Sequence, residues 1–148
     1  MLVCGTEAVE LDDDELAIAC ASHQAEPAQL DAVRKLLARA GATADDLECG
    51  PQPGRPDGRL GHNCSGKHAG LLAACRANGW PFAGYRLPGH PVQERIRALL
   101  GEGECAVDGC GIPTCAQPLT GRPPAIPRSA AGRRSSWRAN RAWISLDP

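Results

Sequence analysis

The sequence predicts a mostly helical fold with a minor strand component, and three observations support this. Four segments repeat apolar residues at helical spacing between recognisable helix start and stop signals. A turn-rich segment with Gly109, Gly111 and Pro113 is predicted to lead into a strand. At 148 residues the chain is long enough for one domain with its own core.

Each predicted helix has a local reason for its bounds. Asp12 and the two aspartates after it supply an N-cap and negative charge at the first turn of the first helix. Pro27 suits the first position of the second helix, and Gly41 is a typical residue for its end. Ser65 is predicted to cap the third helix, and Pro91 to open the fourth. The predicted helices cover residues 13–21, 27–40, 65–78 and 91–100, and the Gly/Pro-rich segment 50–61 is predicted to be a loop.

The composition of the chain excludes several classes of protein. Aromatic residues make up only 3% of it, so alanine, leucine and valine have to fill the core. No run of about 18 apolar residues is present, and therefore neither a transmembrane helix nor a membrane partner is predicted. The first residues lack the basic start and long apolar stretch of a secretion signal, which predicts a cytoplasmic location.

The eight cysteines do not by themselves indicate a disulfide framework. Such frameworks are typical of small secreted proteins, and the sequence shows no secretion signal. Cys20 and Cys75 lie among alanines in helical patterns, where a free cysteine behaves as a small apolar residue. We therefore expect both side chains to be buried.

The composition changes abruptly near residue 120. Residues 122–148 hold six arginines and one aspartate, a net charge of +5, although the whole chain carries −1. No helical or alternating period continues, so we predict a structured part over residues 1–119 and a disordered Arg/Pro/Ser-rich tail over 120–148. Reading a GC-rich gene out of frame would produce such a composition, and we take that as a hypothesis. An alternative is a nucleic-acid binder acting through the arginines, but no helix-turn-helix, RNP or finger pattern accompanies them, so no nucleic-acid partner is predicted.

The start of the third helix carries residues suited to chemistry. Cys64 would face the unpaired N–H groups of the helix end, and Lys67 follows on the same face. Both effects lower the pKa of a thiol and favour the thiolate that binds metals or electrophiles. Cys64 and His68, four residues apart, could also form half of a zinc site. The alternative is that Ser65 merely caps the helix and Cys64 is incidental.

Two further segments could contribute side chains. Glycines on both sides of Cys110 allow unusual backbone angles and a close approach to the sulfur, although a plain tight turn would use them as well. Ser22, His23 and Glu26 lie between two helices, where they could act on a substrate or simply cap a helix and form a turn. Neither segment decides the function alone.

Taken in order, these segments resemble successive motifs of the bacterial asparaginase II family, the thermolabile, Rhizobium-type L-asparaginases. The CSGKHAG and DGCGxP patterns are the most specific of them. The matching segments are 15–23 (ELAIACASH), 62–70 (HNCSGKHAG), 90–93 (HPVQ) and 108–113 (DGCGIP).

The resemblance implies an incomplete part of an α/β fold related to glutaminases and serine β-lactamases, mostly helical in this chain. It implies hydrolysis of L-asparagine to L-aspartate and ammonia, with serine nucleophiles paired with lysines. By motif, Ser22 would be the catalytic serine. A zinc ion would be held by Cys64, Lys67 and Cys110. The oligomeric state is open, with a homodimer as one arrangement.

The sequence departs from the family pattern in ways that predict little or no hydrolysis by this polypeptide. No Ser-x-x-Lys pair precedes Ser22, because the chain starts too late to include one. Lys35 and Lys67 are the only lysines, although the family has a second catalytic lysine after the DGCGxP motif. Gln24 and Ala25 replace the small polar pair usual after Ser-His. The alternative function is a small zinc-binding module without catalysis, which would use Cys64, His68, Cys110 and Cys115.

Overall fold

A computed structural model describes residues 9–100 and 103–116. In these residues the chain forms four α-helices, a short 3₁₀ turn and a two-stranded antiparallel sheet. This mixed content is compatible with the predicted α/β class, and the described part is mostly helical. The elements are α1 (Asp13–Cys20), α2 (Pro27–Ala40), the 3₁₀ turn (Ala44–Asp46), α3 (Ser65–Asn78), α4 (Pro91–Leu100), β1 (Cys105–Val107) and β2 (Pro113–Cys115).

The bounds of α1 and α2 follow from their local signals. Asp12 caps α1: its side chain accepts from the Glu15 amide at 2.9 Å, and the Glu15 side chain accepts from the Asp12 amide at 2.9 Å. Helix α2 begins at Pro27 and ends where Gly41 adopts a left-handed φ of 66°, as predicted. Helix α4 likewise begins at Pro91. Its predicted stop at residue 101 lies outside the described residues.

The start of α3 differs from the prediction. Cys64 occupies the N-cap position, and Ser65 is the first helical residue. The Ser65 side chain is fully buried, and its hydroxyl donates to the Leu60 carbonyl at 2.7 Å. Ser65 therefore joins the helix to the preceding loop, because its hydroxyl donates to a loop carbonyl instead of accepting from a helix amide.

Helix α3 forms the centre of the described structure, and α1 and α2 both pack against it. Gly66 permits the close approach of α1 and α3, since a Cβ added there would lie 2.2 Å from the Ile18 carbonyl oxygen. No larger residue fits at this contact without a shift of the α1 backbone. The most deeply buried apolar side chains include Val33, Leu36, Leu47, Leu72 and Val92. Within the described residues, no helix is long and apolar enough to cross a bilayer.

The sheet changes the interpretation of the cysteines. Strand β2 follows the turn as predicted, but β1 was not predicted, and Cys105 and Cys115 face each other in the pair and form a disulfide. A disulfide therefore links the two strands of this hairpin, although the cysteine count did not indicate a disulfide framework and Cys115 was an alternative zinc ligand. Cys75 is buried as predicted, but the prediction for Cys20 is wrong, because this residue is exposed at the end of α1. The predicted tail over residues 120–148 lies outside the described residues, and the hypothesis about its reading frame remains untested.

Candidate active and metal site

Three chain segments meet at the N-terminal end of α3. The α1–α2 connection reaches it through the His23 amide, which donates to the Asn63 carbonyl at 3.1 Å. The turn between β1 and β2 reaches it through Asp108, which pairs with Lys67 at 2.7 Å. These two contacts span 40 or more positions of sequence, and they bring all the sequence-predicted site segments to one end of one helix.

Asp108 links two of the three predicted metal ligands. Its Oδ2 accepts from the Lys67 Nζ at 2.7 Å, and its Oδ1 accepts from the Cys110 thiol at 3.0 Å. The same Oδ1 also accepts from the backbone amides of Cys110 and Ile112, each at 3.0 Å. Lys67 lies close to the Cys110 sulfur as well. In the sequence this aspartate is only the first residue of the DGCGxP motif, and its bridging role follows from the fold.

These contacts set the protonation of the three groups. Burial alone would raise the pKa of Asp108, but hydrogen bonds from Lys67, from the Cys110 thiol and from two amides lower it well below the usual carboxyl range. Burial opposes the charge on Lys67, but Asp108 and Cys110 outweigh it and raise the pKa of this amine. Burial, followed by the Asp108 carboxylate, raises the pKa of the Cys110 thiol to about 12. The group is thus one carboxylate, one ammonium and one neutral thiol.

Cys64 is the third predicted ligand, and it lies at the N-cap of α3, partly buried. It was expected to have Lys67 as its partner, but the Lys67 ammonium pairs with Asp108 instead. Cys64 is nevertheless near enough to Cys110 for their charges to interact. Cys64, Lys67 and Cys110 therefore belong to segments that meet at the start of α3.

The two sulfurs of this set fit zinc, since cysteine thiolate is a ligand that zinc prefers, whereas Lys67 would bind the ion only as a neutral amine. Lys67 and Cys110 each hold a proton here, which a bound cation would displace.

The alternative zinc set is not assembled by this fold. Cys115 is bonded to Cys105 in the disulfide, and the His68 Nδ1 lies 2.6 Å from the Tyr85 hydroxyl. Across residues 9–100 and 103–116, no group of three or more His, Cys, Asp or Glu side chains is gathered at metal-binding distance, and this includes Cys64, Cys110 and Asp108.

Ser22, the candidate nucleophile, is exposed at the start of the α1–α2 connection. No hydrogen bond joins its hydroxyl to another side chain in the described part of the chain. Both lysines of the protein are engaged elsewhere: Lys35 pairs with Asp12, and Lys67 pairs with Asp108. Their carboxylate partners raise the pKa of both amines, although burial opposes the shift at Lys67. Neither amine is therefore placed or protonated as the base that a serine nucleophile needs.

A second serine, Ser65, does lie in contact with a histidine, His23, but the directions of their hydrogen bonds indicate a structural role. The Ala25 amide donates to the His23 Nδ1 at 3.1 Å, so this nitrogen is the acceptor. The neutral ring then carries its proton on Nε2 and donates to the Ser65 Oγ at 2.8 Å. Burial, followed by the positive charge of Arg55, lowers the pKa of His23 and favours this neutral form. His23 therefore supports the loop and does not take a proton from Ser65.

Two more histidines use the same local arrangement. The His62 Nδ1 accepts from the Cys64 amide at 3.0 Å, and the His90 Nδ1 accepts from the Val92 amide at 3.2 Å. In each case the donor lies two positions after the histidine, as it does for His23. Three of the four histidines thus satisfy backbone amides next to a helix start, which helps to explain their recurrence in the motifs without a catalytic role.

A buried polar network lies behind the site. Tyr85 is fully buried, and its hydroxyl accepts from the Glu48 amide at 2.8 Å. The same hydroxyl contacts the His68 Nδ1, and the rings of these two residues meet edge to face at 5.5 Å. Burial, followed by the charge of Lys67, lowers the pKa of His68 to about 4. The His68 Nε2 is buried and has no hydrogen-bond partner among the described residues.

Comparison with known protein families supports the resemblance seen in the sequence. The family model described as L-asparaginase II matches residues 1–143, a range that includes every segment of the site. A search of curated proteins found no match. Because the family model matches nearly the whole length of the chain, the protein belongs to the L-asparaginase II family.

Proposed function

We propose that this protein carries an L-asparaginase-type site for L-asparagine, in which Ser22 is the nucleophile and Cys64, Lys67 and Cys110 hold zinc. We further propose that this polypeptide turns over slowly or not at all. One observation carries the second part: both lysines of the chain are held as ammonium groups by carboxylates. A serine hydroxyl without a neighbouring base is a weak nucleophile.

The metal part of the proposal rests on the grouping at the start of α3. Zinc bound there would orient the substrate or hold the turn of residues 108–112 against the helix. Asp108 contributes to the second task, because it ties Lys67 to the Cys110 thiol. Lys67 contacts both Asp108 and Cys110, which supports a shared site for two of the three proposed ligands.

Two finer features rest on the family likeness alone. The fold relation to glutaminases and serine β-lactamases is one of them. A homodimer is the other. Both are proposals about the protein, and the helix-rich arrangement described above is compatible with the first.

Ammonia release from L-asparagine tests the catalytic part. Typical enzymes turn over at about 10 s⁻¹, and loss of a nucleophile's base costs about 10⁴–10⁶ in rate, so we expect roughly 10⁻³ s⁻¹ or less. Ser22→Ala should abolish any residual rate, whereas Ser65→Ala should not act at the chemical step. A turnover of about 1 s⁻¹ or more in the unmodified protein would show that a base does reach Ser22.

Zinc stoichiometry, measured by mass spectrometry of the native protein, tests the metal part. We expect one zinc per chain, lost in Cys110→Ser and in Lys67→Met. His68→Gln is the matched control, because His68 lies on the same helix and belongs only to the alternative set. Loss of zinc in the His68 variant with retention in the Lys67 variant would refute the proposed ligands.

A further inference from the structure

Arg55 is a charged side chain that the proposed chemistry does not use. It is partly buried, and its Nη2 donates to the Gln24 Oε1 at 2.6 Å. This acceptor is a neutral amide. No carboxylate in the described part of the chain forms an ion pair with Arg55, whereas Arg34, Arg39 and Arg86 each have one. A guanidinium held in place by a neutral group keeps most of its donors available to an anion.

The loop holds Arg55 in a defined position. The Arg55 amide donates to the Gln52 carbonyl at 3.1 Å, and the Gln52 side chain accepts from the Asn63 amide at 2.9 Å. Gly61 packs so closely that an added Cβ would lie 1.8 Å from the Pro56 carbonyl oxygen. The backbone beside Arg55 is therefore tied to the residues just before α3.

Arg55 also contacts the connection that carries the candidate nucleophile. Its partner Gln24 is two residues after Ser22, so the α-carbons of these two residues are within about 7 Å of each other. The backbone of Gln24 is itself held, because its main-chain N–H donates to the Gln29 Oε1 at 3.0 Å. Gln24 thus acts as a bridge between a fixed guanidinium and the connection that carries Ser22.

Arg55 supplies positive charge near the start of α3, where it acts on the buried rings of His23 and His62. Lys67 pairs with Asp108, whereas Arg55 has no carboxylate partner among the described residues and can therefore attract a small anion. An amino-acid substrate brings such an anion as its α-carboxylate, and a planar guanidinium binds a carboxylate through two parallel hydrogen bonds.

We infer that Arg55 binds the α-carboxylate of the amino-acid substrate, and that Gln24 positions its guanidinium beside Ser22. This inference rests on the proposed function, and it identifies the residue that selects free amino-acid amides over amides without the carboxylate. Arg55 makes the contact through its remaining N–H donors, and Gln24 is a positioning residue.

Calorimetric binding of L-asparagine and of L-asparaginamide to the full chain tests the inference. The second compound keeps the side-chain amide but replaces the carboxylate with a neutral amide. We expect the unmodified protein to bind L-asparagine about 10–100-fold more tightly, as a charge-assisted hydrogen-bonded pair allows. Arg55→Ala should remove this preference, Arg55→Lys should restore part of it, and Gln24→Ala should reduce it.

Arg34→Ala is the matched control, because it removes the same charge from the exposed face of α2. It should leave the preference unchanged, and thermal melting of each variant reports whether it folds. If Arg55→Ala and Arg55→Lys both fold and keep the full preference, the inference is wrong and the proposed function stands. If the unmodified protein binds neither compound, the inference about Arg55 and the proposed function are both wrong. Binding with the expected preference but without ammonia release supports the carboxylate site and leaves catalysis to be judged by the rate assay.

Discussion

Removing a single oxygen at Tyr85 tests the buried network behind the site. Tyr85→Phe keeps the ring and its packing, but it removes the hydroxyl that accepts from the Glu48 amide at 2.8 Å and contacts the His68 Nδ1 at 2.6 Å. The Tyr85 and His68 side chains are fully buried, so water does not replace the lost contact easily.

The size of the effect follows from the groups left unpaired. A buried donor or acceptor without a partner costs about 1–3 kcal/mol, and Tyr85→Phe creates one at the Glu48 amide and one at the His68 Nδ1. The His68 Nε2 already lacks a partner in the described structure, so Tyr85→Phe leaves both ring nitrogens without a hydrogen bond. We expect the free energy of unfolding to decrease by about 2–5 kcal/mol.

Urea denaturation followed by circular dichroism measures this change, and a double-mutant cycle assigns it. His68→Leu keeps a similar volume and removes one of the two groups that Tyr85→Phe leaves unpaired. The double variant should therefore lose at least about 1 kcal/mol less than the sum of the two single variants. A decrease under about 0.5 kcal/mol for Tyr85→Phe, with additive single variants, would show that the network contributes nothing and refute the reasoning.

Three further predictions concern packing, charge and pH. Gly66→Ala places a methyl group against α1 and should decrease the free energy of unfolding by about 1–3 kcal/mol in urea melts, whereas Gly109→Ala, in open space, should change it by under about 0.5 kcal/mol. Arg39→Met removes the ion-pair partner of the fully buried Glu15 carboxylate and should decrease stability by about 1–3 kcal/mol; an unchanged melting temperature would contradict this. Burial, followed by the charge of Arg55, lowers the pKa of His23, so the unfolded chain binds this proton first as the pH falls. Stability should therefore be complete above about pH 7 and decline below about pH 6.5, with a slope that His23→Gln reduces; equal slopes in the two proteins would contradict it.

Much of the local structure could be predicted because its signals are local. The capping group at Asp12, the proline at position 27 and the glycine at position 41 act within one helical turn, so α1 and α2 begin and end close to where they were expected. The prediction at Ser65 failed for a related reason. A serine before an apolar run is a typical N-cap, but here the hydroxyl donates to the Leu60 carbonyl and accepts from the His23 ring.

By itself, the sequence determined the helices, the loop before α3 and the family. Helix capping, hydrophobic period and motif order depend only on the order of residues along the chain. Only the tertiary structure decided which groups meet. It pairs Lys67 with Asp108, 41 positions away, closes the disulfide between Cys105 and Cys115, and leaves Arg55 without a carboxylate in the described part of the chain. Such pairings join segments that are far apart along the chain. Electrostatic and hydrogen-bonding energies depend on the distance between groups in space and not on their separation in sequence.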